Sequence, residues 1–494
     1  MYIVHVTTEH APIAKVGGLG DMVQGLSKAC AQAGEQVEVI LPFYHTIERN
    51  VLSALLPSSE KNSPRLKPKK ACQNGIWMTH LDGIDLTLIE SKKYFNRNTI
   101  YGEKDDVCRF AHFALSALDY LLKAEKKVDI LHLHDWLTGL CAPLQKEVYQ
   151  MHGLDIASIV TTIHNLSHQG RCEQKRFAQM GSKWQRLAIR EEMQDHEKSE
   201  HVNCLKGAVI YSDFITTVST SYAEEIKNQT RGLGPLLVQR AHKFKGILNG
   251  IDTHYWNPET DPFLTQNFSP DPKQIEQIIK AKKANRIALS EHVGISYDHV
   301  PLFISITRLV KQKGPELIKY GIEYVLKKGG QFVLIGTPHE GDIKKEFETL
   351  AAKYRGDQNS FFYFKYDEPL AHLAYASAHF ILIPSLFEPC GLTQIISMRY
   401  ATLPIAHKVG GLKETVFDVD DANIPMEKRN GYTFDFPLQR GLQHGIDRAF
   451  KHFYEDASTY MGLLRHSLRK DWSWKMAADG YLQLYSRLMR AREG

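Results

Sequence analysis

Two copies of Lys-Val-Gly-Gly-Leu, at Lys15–Leu19 and Lys408–Leu412, each follow a short apolar run that reads as a strand. Glycine lets backbone N–H groups turn toward a ligand without a Cβ in the way, and a helix N-terminus adds partial positive charge. Both loops therefore read as anion-ready, with Lys15, Gly17 and Gly18 as the candidate contacts of the first. Its sequence runs on through Met22, Val23, Leu26 and Ala29, the apolar spacing of a helix opening directly after the glycines. Arg308 and Lys313 stand five positions apart after the run Leu302–Thr307, where fixed cations would stabilise a developing negative charge. Glu388 follows the apolar run Phe380–Pro384 and precedes Gly391, so its carboxylate either faces a cleft or caps a helix. His132 and His134 alternate onto one face of a strand that ends at Asp135. With no third ligand at zinc-like spacing they read as core or cleft histidines, and no metal is expected.

These groups need elements to hold them. In the first half, strand-like runs at Tyr2–Val6, Val37–Leu41, Asp85–Ile89, Asp129–Leu133, Ile156–Ile163 and Phe214–Ser219 are separated by helical spacing, for example Val107–Leu122. The second half repeats the style with Leu302–Thr307, Gln331–Ile335, Phe361–Phe364, Phe380–Pro384 and Leu403–Ala406, and with helices such as Pro315–Lys327. Alternating strand and helix predicts an α/β chain with two doubly wound, Rossmann-like parallel sheets. The stretch from Asn249 to about Lys273 is dense in Asp, Pro and Asn and reads as a linker. The expected domains are 1–248, 249–470 and a C-terminal helix within 471–494. A ligand is expected in the central crevice between the sheets, at the carboxyl ends of strands.

Composition narrows the classes. A chain of 494 residues with 43% hydrophobic content has ample apolar surface for more than one core. Lys and Arg exceed Asp and Glu by only five, so neither nucleic acid nor a membrane is expected as a partner. The basic stretch Lys61–Lys70, with Pro64 and Pro68, reads as a loop. Seven cysteines stand singly, with no CxxC pair, which points to reduced thiols and a cytoplasmic protein. The short apolar start meets Glu9 and His10 too soon for a signal peptide. Oligomeric state is not legible. A dehydrogenase reading fails because Lys15–Gly20 lacks the Gly-x-Gly-x-x-Gly order.

Six stretches together carry a resemblance. Lys15–Asp21, His132–Trp136, Thr162–Leu166, Leu248–Asp252, Arg308–Gly314 and Glu388–Gln394 resemble, in order and spacing, the motif set of bacterial and plant glycogen/starch synthases. The resemblance runs from Met1 to the segment Asp471–Trp474. It implies a GT-B glycosyltransferase, two facing Rossmann-like domains with an inter-domain cleft. Such an enzyme transfers glucose from a nucleotide sugar to the nonreducing end of an α-1,4-glucan with retention of configuration, and uses no cofactor. In the family the C-terminal helix crosses back onto the N-terminal domain, which holds the glucan acceptor, and the second domain holds the nucleotide sugar.

By the same resemblance, Glu388, His164, Arg308, Lys313 and Lys15 are the expected catalytic set. Arg308 and Lys313 would grip the diphosphate, Glu388 would lie against the donor sugar, and His164 would position that sugar rather than act as a general base. Gly17, Gly18, Asp21, Asn249, Tyr366, Cys390, Gly391, Leu392 and Thr393 are the expected donor contacts, and Asp135 and Trp136 lie on the acceptor side. Tyr366 is placed to stack on the base, although an ordinary core tyrosine explains it nearly as well. ADP-glucose is the expected donor, UDP-glucose the alternative, and a non-catalytic glucan-binding protein on the same fold the third reading. Departures from the family pattern stand at Asn96, Ser167, His168 and Ile396.

Overall fold

The computed structural model describes residues 1–47, 75–338 and 341–493. The basic stretch Lys61–Lys70 lies outside the described residues. The chain forms two compact units, Met1–Gly250 with Trp474–Gly494, and Ile251–Ser473. The expected divisions at 248/249 and 470/471 differ from these by two or three residues.

The first unit holds strands β1 (Tyr2–Val6), β2 (Gln36–Pro42), β3 (Ile76–Leu81), β4 (Ile84–Ile89), β5 (Lys127–His134), β6 (Asp155–Ile163), β7 (Arg171–Glu173), β8 (His201–Asn203), β9 (Phe214–Thr217) and β10 (Phe244–Gly246). Eight of them form one sheet in the order β10-β9-β6-β5-β1-β2-β4-β3, while β7 and β8 pair separately as an antiparallel ribbon. Only the edge strand β3 runs antiparallel in the large sheet. The central strands β1, β5 and β6 are buried along nearly their whole length, which fits their near-continuous apolar runs. The chain order reverses between β1 and β5, and ligands of open α/β sheets bind at such a switch point.

Helix Trp474–Glu493 belongs to this unit. Trp474, Ala477, Ala478, Tyr481, Leu484 and Tyr485 recur at three and four residues, and all are buried in the first unit's core. The indole of Trp474 lies over helix Gly18–Gln32, where a Cβ on Gly25 would come within 1.8 Å of its Nε1.

The second unit holds β11 (Leu302–Leu309), β12 (Gln331–Pro338), β13 (Ser360–Tyr363), β14 (Phe380–Ile383), β15 (Leu403–His407) and β16 (Tyr432–Phe434). All pair in parallel, in the order β13-β12-β11-β14-β15-β16. This is the doubly wound 3-2-1-4-5-6 arrangement, with its switch point between β11 and β14.

The segment expected to be a linker is irregular but packed. From Ile251 onward it belongs to the second unit, and Trp256, Asp261, Leu264 and Phe268 are buried there. The Asp261 carboxylate lies 2.6 Å from His372 Nδ1 and accepts from the Tyr400 hydroxyl, and Trp256 stacks on the His372 ring at 4.2 Å. Turn-forming residues specify local backbone, and the few aromatic and acidic side chains among them decide whether that backbone docks.

Candidate active site

The chemistry-bearing residues of the second unit gather at its switch point. Arg308 is exposed near the carboxyl end of β11, and the 3-10 turn Lys311–Lys313 follows. Gly314 then takes φ +67°, with room for a side chain closed off by the Pro384 carbonyl, 2.4 Å from where a Cβ would stand. That close approach brings the loop after β11 against the loop after β14. Lys313 forms an ion pair with Glu388, whose same oxygen, Oε2, accepts from Ser385 Oγ at 2.9 Å. Glu388 is only 6% exposed, so its carboxylate is held by one charge and one hydroxyl in a low-dielectric site. Ser305, Thr307, Lys313, Glu388, Gly391 and Thr393 line one depression. Cys390 is buried beside it, Leu392 and Thr393 are half-buried at the start of helix Thr393–Arg399, and Tyr366 is 59% exposed, which removes the core-tyrosine reading.

The second glycine loop has another job than the one expected. Gly411 N–H donates to the Glu388 carbonyl at 2.9 Å. A Cβ on Gly410, which has φ +48°, would stand 1.9 Å from that carbonyl oxygen, and one on Gly411 would stand 2.0 Å from the Cys390 oxygen. These glycines are required by backbone packed on backbone. They brace the Glu388 segment and do not form an anion cradle of their own.

The first loop differs again. Eight residues separate it from the end of β1, so it does not directly follow its strand. The N–H groups of Val16 and Gly17 donate to the buried Glu9 carboxylate at 2.6 and 2.9 Å, and Tyr101 donates to its other oxygen at 2.9 Å. Burial pushes the Glu9 pKa up while these donors pull it down. The Gly17 amide, expected to meet a ligand, is thus turned inward. Gly17 has no atom within 4 Å of a Cβ position, so space remains on its outer side. Lys15 is exposed and pairs with Asp21 at 2.7 Å, and Gly18 opens helix Gly18–Gln32.

At the switch point between β1 and β5, register places His5 opposite His132. The third histidine absent from the local spacing therefore comes from β1, and ligand atoms of His5, His132 and His134 lie within 4.8 Å of one another. His132 spends both nitrogens on hydroxyls, Thr162 Oγ1 at 2.6 Å and Tyr485 at 2.7 Å. The His132 and His134 rings stack at 4.5 Å. Donors already engaged in stacked rings do not converge on an ion, so the core reading of this cluster fits better than a metal centre.

His164 follows β6 and is half-buried, its Nε2 3.1 Å from His134 Nδ1. Its backbone N–H donates to Asp135 Oδ1 at 2.7 Å, and Asn165 N–H donates to the same oxygen at 3.4 Å. Asp135 has φ +56° and is buried, so the carboxylate expected on an acceptor surface instead holds the His164 loop. Trp136 is half-buried, with Gly170 against its indole and Phe110 meeting it edge-on at 5.9 Å. Asn249 is buried, and its Oδ1 has no partner among the described residues. A roomier groove of about 590 Å³, lined by Asp155, Ser158 and Arg492, lies at the amino end of β6, away from all these groups.

Burial raises the Asp135 pKa to about 7, against the two backbone N–H bonds that lower it. The unfolded chain, with an ordinary carboxyl, binds fewer protons than the folded one between about pH 4 and pH 7. Stability from this group is therefore complete below about pH 4 and is lost as pH rises through about 7. Asp135→Asn keeps the acceptor oxygen and tolerates the left-handed backbone. The variant should match the parent's melting temperature near pH 4 and exceed it at pH 8. A constant difference across that range in thermal denaturation would refute the assignment.

Glu9, His5, Ser385 and Gln394 were not legible as site residues. Gln394 Nε2 donates to the Gly391 carbonyl at 2.8 Å and to Thr415 Oγ1 at 3.0 Å, tying the Glu388 segment to the second glycine loop.

Comparison with known proteins bears on the whole chain. The starch synthase catalytic domain family matches residues 2–239, and glycosyl transferases group 1 matches residues 291–457. The glycogen synthase of Protochlamydia amoebophila is 39% identical over 98% of this chain and 99% of its own length. The probable starch synthase 4 of Arabidopsis thaliana is 41% identical, and the chain spans 47% of that relative's length. The solved catalytic domain of Arabidopsis starch synthase IV, bound to ADP and acarbose, has a TM-score of 0.89 at 39% identity over 99% of both chains. No helix among the described residues is long and apolar enough to cross a membrane. Two parallel switch points with cations, a buried glutamate and a histidine at their strand ends, on a chain matched over nearly its full length, place this protein in the glycogen and starch synthase family of GT-B glycosyltransferases.

Proposed function

We propose that the chain extends an α-1,4-glucan from its nonreducing end with glucose from ADP-glucose, retaining the anomeric configuration. The observation that carries this reading is the Lys313–Glu388 pair at the β11/β14 switch point, with Arg308 near the carboxyl end of β11. The likeness to a starch synthase bound to ADP supports the choice of donor.

In this reading Arg308 and Lys313 meet the donor diphosphate. Its negative charge grows as the glycosidic bond breaks, so both cations bind the transition state more tightly than the ground state. Glu388 orients the sugar and balances positive charge at the anomeric carbon. Lys15 approaches the donor phosphates, with Gly17, Gly18 and Asp21 shaping its loop. Cys390, Gly391, Leu392, Thr393, Asn249 and Tyr366 complete the donor contacts, and His164 contacts a sugar hydroxyl. Asp135 and Trp136 serve the acceptor side from behind, through the loop they support. The first unit takes the glucan and the second the nucleotide sugar. The cysteines among the described residues, all free, support a reducing, cytoplasmic setting.

The test is nucleotide release together with glucan growth from glycogen and either ADP-glucose or UDP-glucose. Growth from ADP-glucose at a clearly higher kcat/KM is expected. Preference for UDP-glucose would overturn the donor assignment, and glucan binding without growth would favour a non-catalytic protein.

Retention is assigned to front-face transfer, in which the acceptor hydroxyl attacks on the side the nucleotide leaves and the leaving phosphate takes the proton. A retaining double displacement would need a second carboxylate at the scissile bond. Incubation with a fluorinated donor should leave the intact protein mass unchanged. A glucosyl adduct on a side chain would refute front-face transfer.

A further inference from the structure

Three histidines form a continuous line from the buried centre of the first sheet, at His5 and His134, to the half-buried His164. His5 Nδ1 lies 3.1 Å from His134 Nε2, and His134 Nδ1 lies 3.1 Å from His164 Nε2. They come from β1, from the last residue of β5 and from the residue after β6, so the three central strands hold the line rigidly. Burial depresses the pKa of His5 and His164 to about 3 and that of His134 well below the ordinary value, so all three are neutral at neutral pH. A neutral imidazole carries one N–H and one lone pair, and the line can therefore run in only two directions.

The inner end decides between them. His5 Nε2 is buried with no partner among the described residues. If each ring carried its proton on Nε2, that atom would be an orphaned N–H in the interior, and unpaired buried donors are rarer than unpaired acceptors. With each proton on Nδ1, both inter-ring bonds form and only a lone pair is left over. His132 does not compete, because its nitrogens already serve Thr162 and Tyr485.

We propose that His5 and His134 are positioning residues that hold His164 as its Nδ1–H tautomer, so that His164 offers the sugar substrate a hydrogen-bond donor. The imidazole side chain favours the opposite tautomer in water, so the line does work that His164 would not do alone. A donor at this edge selects a hydroxyl oxygen as its acceptor, and fixing it in advance removes a reorientation step from the transfer. The catalytic use of His164 rests on the proposed glucosyl transfer, whereas its tautomer does not.

The test is a two-bond proton–nitrogen correlation spectrum of the full chain labelled with nitrogen-15 histidine, the His164 signals being identified by their loss in His164→Asn. At neutral pH the unsubstituted protein should show His164 protonated on Nδ1. In His134→Phe the signals should move toward the Nε2–H pattern, and kcat should fall about a hundredfold with a much smaller change in donor KM. His134→Gln, whose amide can still donate to His164 Nε2, should recover part of that loss. An Nε2–H or doubly protonated His164 in the unsubstituted protein would overturn the proposal, and this outcome needs no variant to fold. An unchanged His164 pattern in His134→Phe would also overturn it. Failure of glucan growth from ADP-glucose would refute the functional reading and leave the tautomer result standing.

Discussion

Glu388→Ala should lower kcat for glucosyl transfer by about 10²- to 10³-fold, or roughly 3–4 kcal/mol of transition-state stabilisation. The carboxylate is buried, paired with Lys313 and bonded to Ser385 Oγ, so it acts where water does little to screen it. Its removal also frees the Lys313 ammonium. Nucleotide binding should therefore be unchanged or slightly tighter while transfer falls. That split separates a group acting on the sugar from a helix cap, because loss of a cap would lower stability and leave kcat alone. Glu388→Gln should keep the Ser385 bond and still lose most of the rate. Steady-state kinetics with calorimetric titration of ADP would check both halves, and a kcat within about threefold of the parent would remove Glu388 from the reacting centre.

The second large effect is on stability. Gly410→Ala places a methyl 1.9 Å from the Glu388 carbonyl oxygen at a residue with φ +48°. Neither the carbonyl nor its neighbour Pro389 is the end of a flexible side chain, so backbone must move. A cost above about 4 kcal/mol is expected, which lowers the melting temperature of a unit this size by on the order of 10 °C. Transfer should fail as well, since the displaced segment carries Glu388. Gly17→Ala, the corresponding change in the first copy, meets nothing within 4 Å on an extended backbone and should shift stability by less than about 0.5 kcal/mol. Scanning calorimetry of the two variants tests the contrast. Equal melting temperatures would mean that identical pentapeptides do identical work, against the packing described above.

Much of this protein was already present in its sequence. The alternation of apolar strands with helical spacing led to two doubly wound sheets because those periods are local properties of the chain. The helix Pro315–Lys327 and the strand Tyr2–Val6 were read to the residue. The strands β7, β8, β10 and β16 were missed, each being three residues long and too short to show a period, and β3 pairs as an antiparallel edge. Motif order also led to the family, and with it the expected roles of Arg308, Lys313, Glu388 and His164.

The tertiary structure alone decided how those groups are held. Nothing near Lys408–Leu412 says that its glycines exist to let a backbone 22 residues away pass at contact distance. Nothing near Glu9 says that its carboxylate will cap the amides of the first glycine loop. His5 and His132 stand 127 positions apart, and only the pairing of β1 with β5 sets them side by side. A sequence determines its elements through interactions within a few residues. Burial, register and close approach depend on pairings across the whole chain, and those pairings set the charge, tautomer and reach of each group in the site.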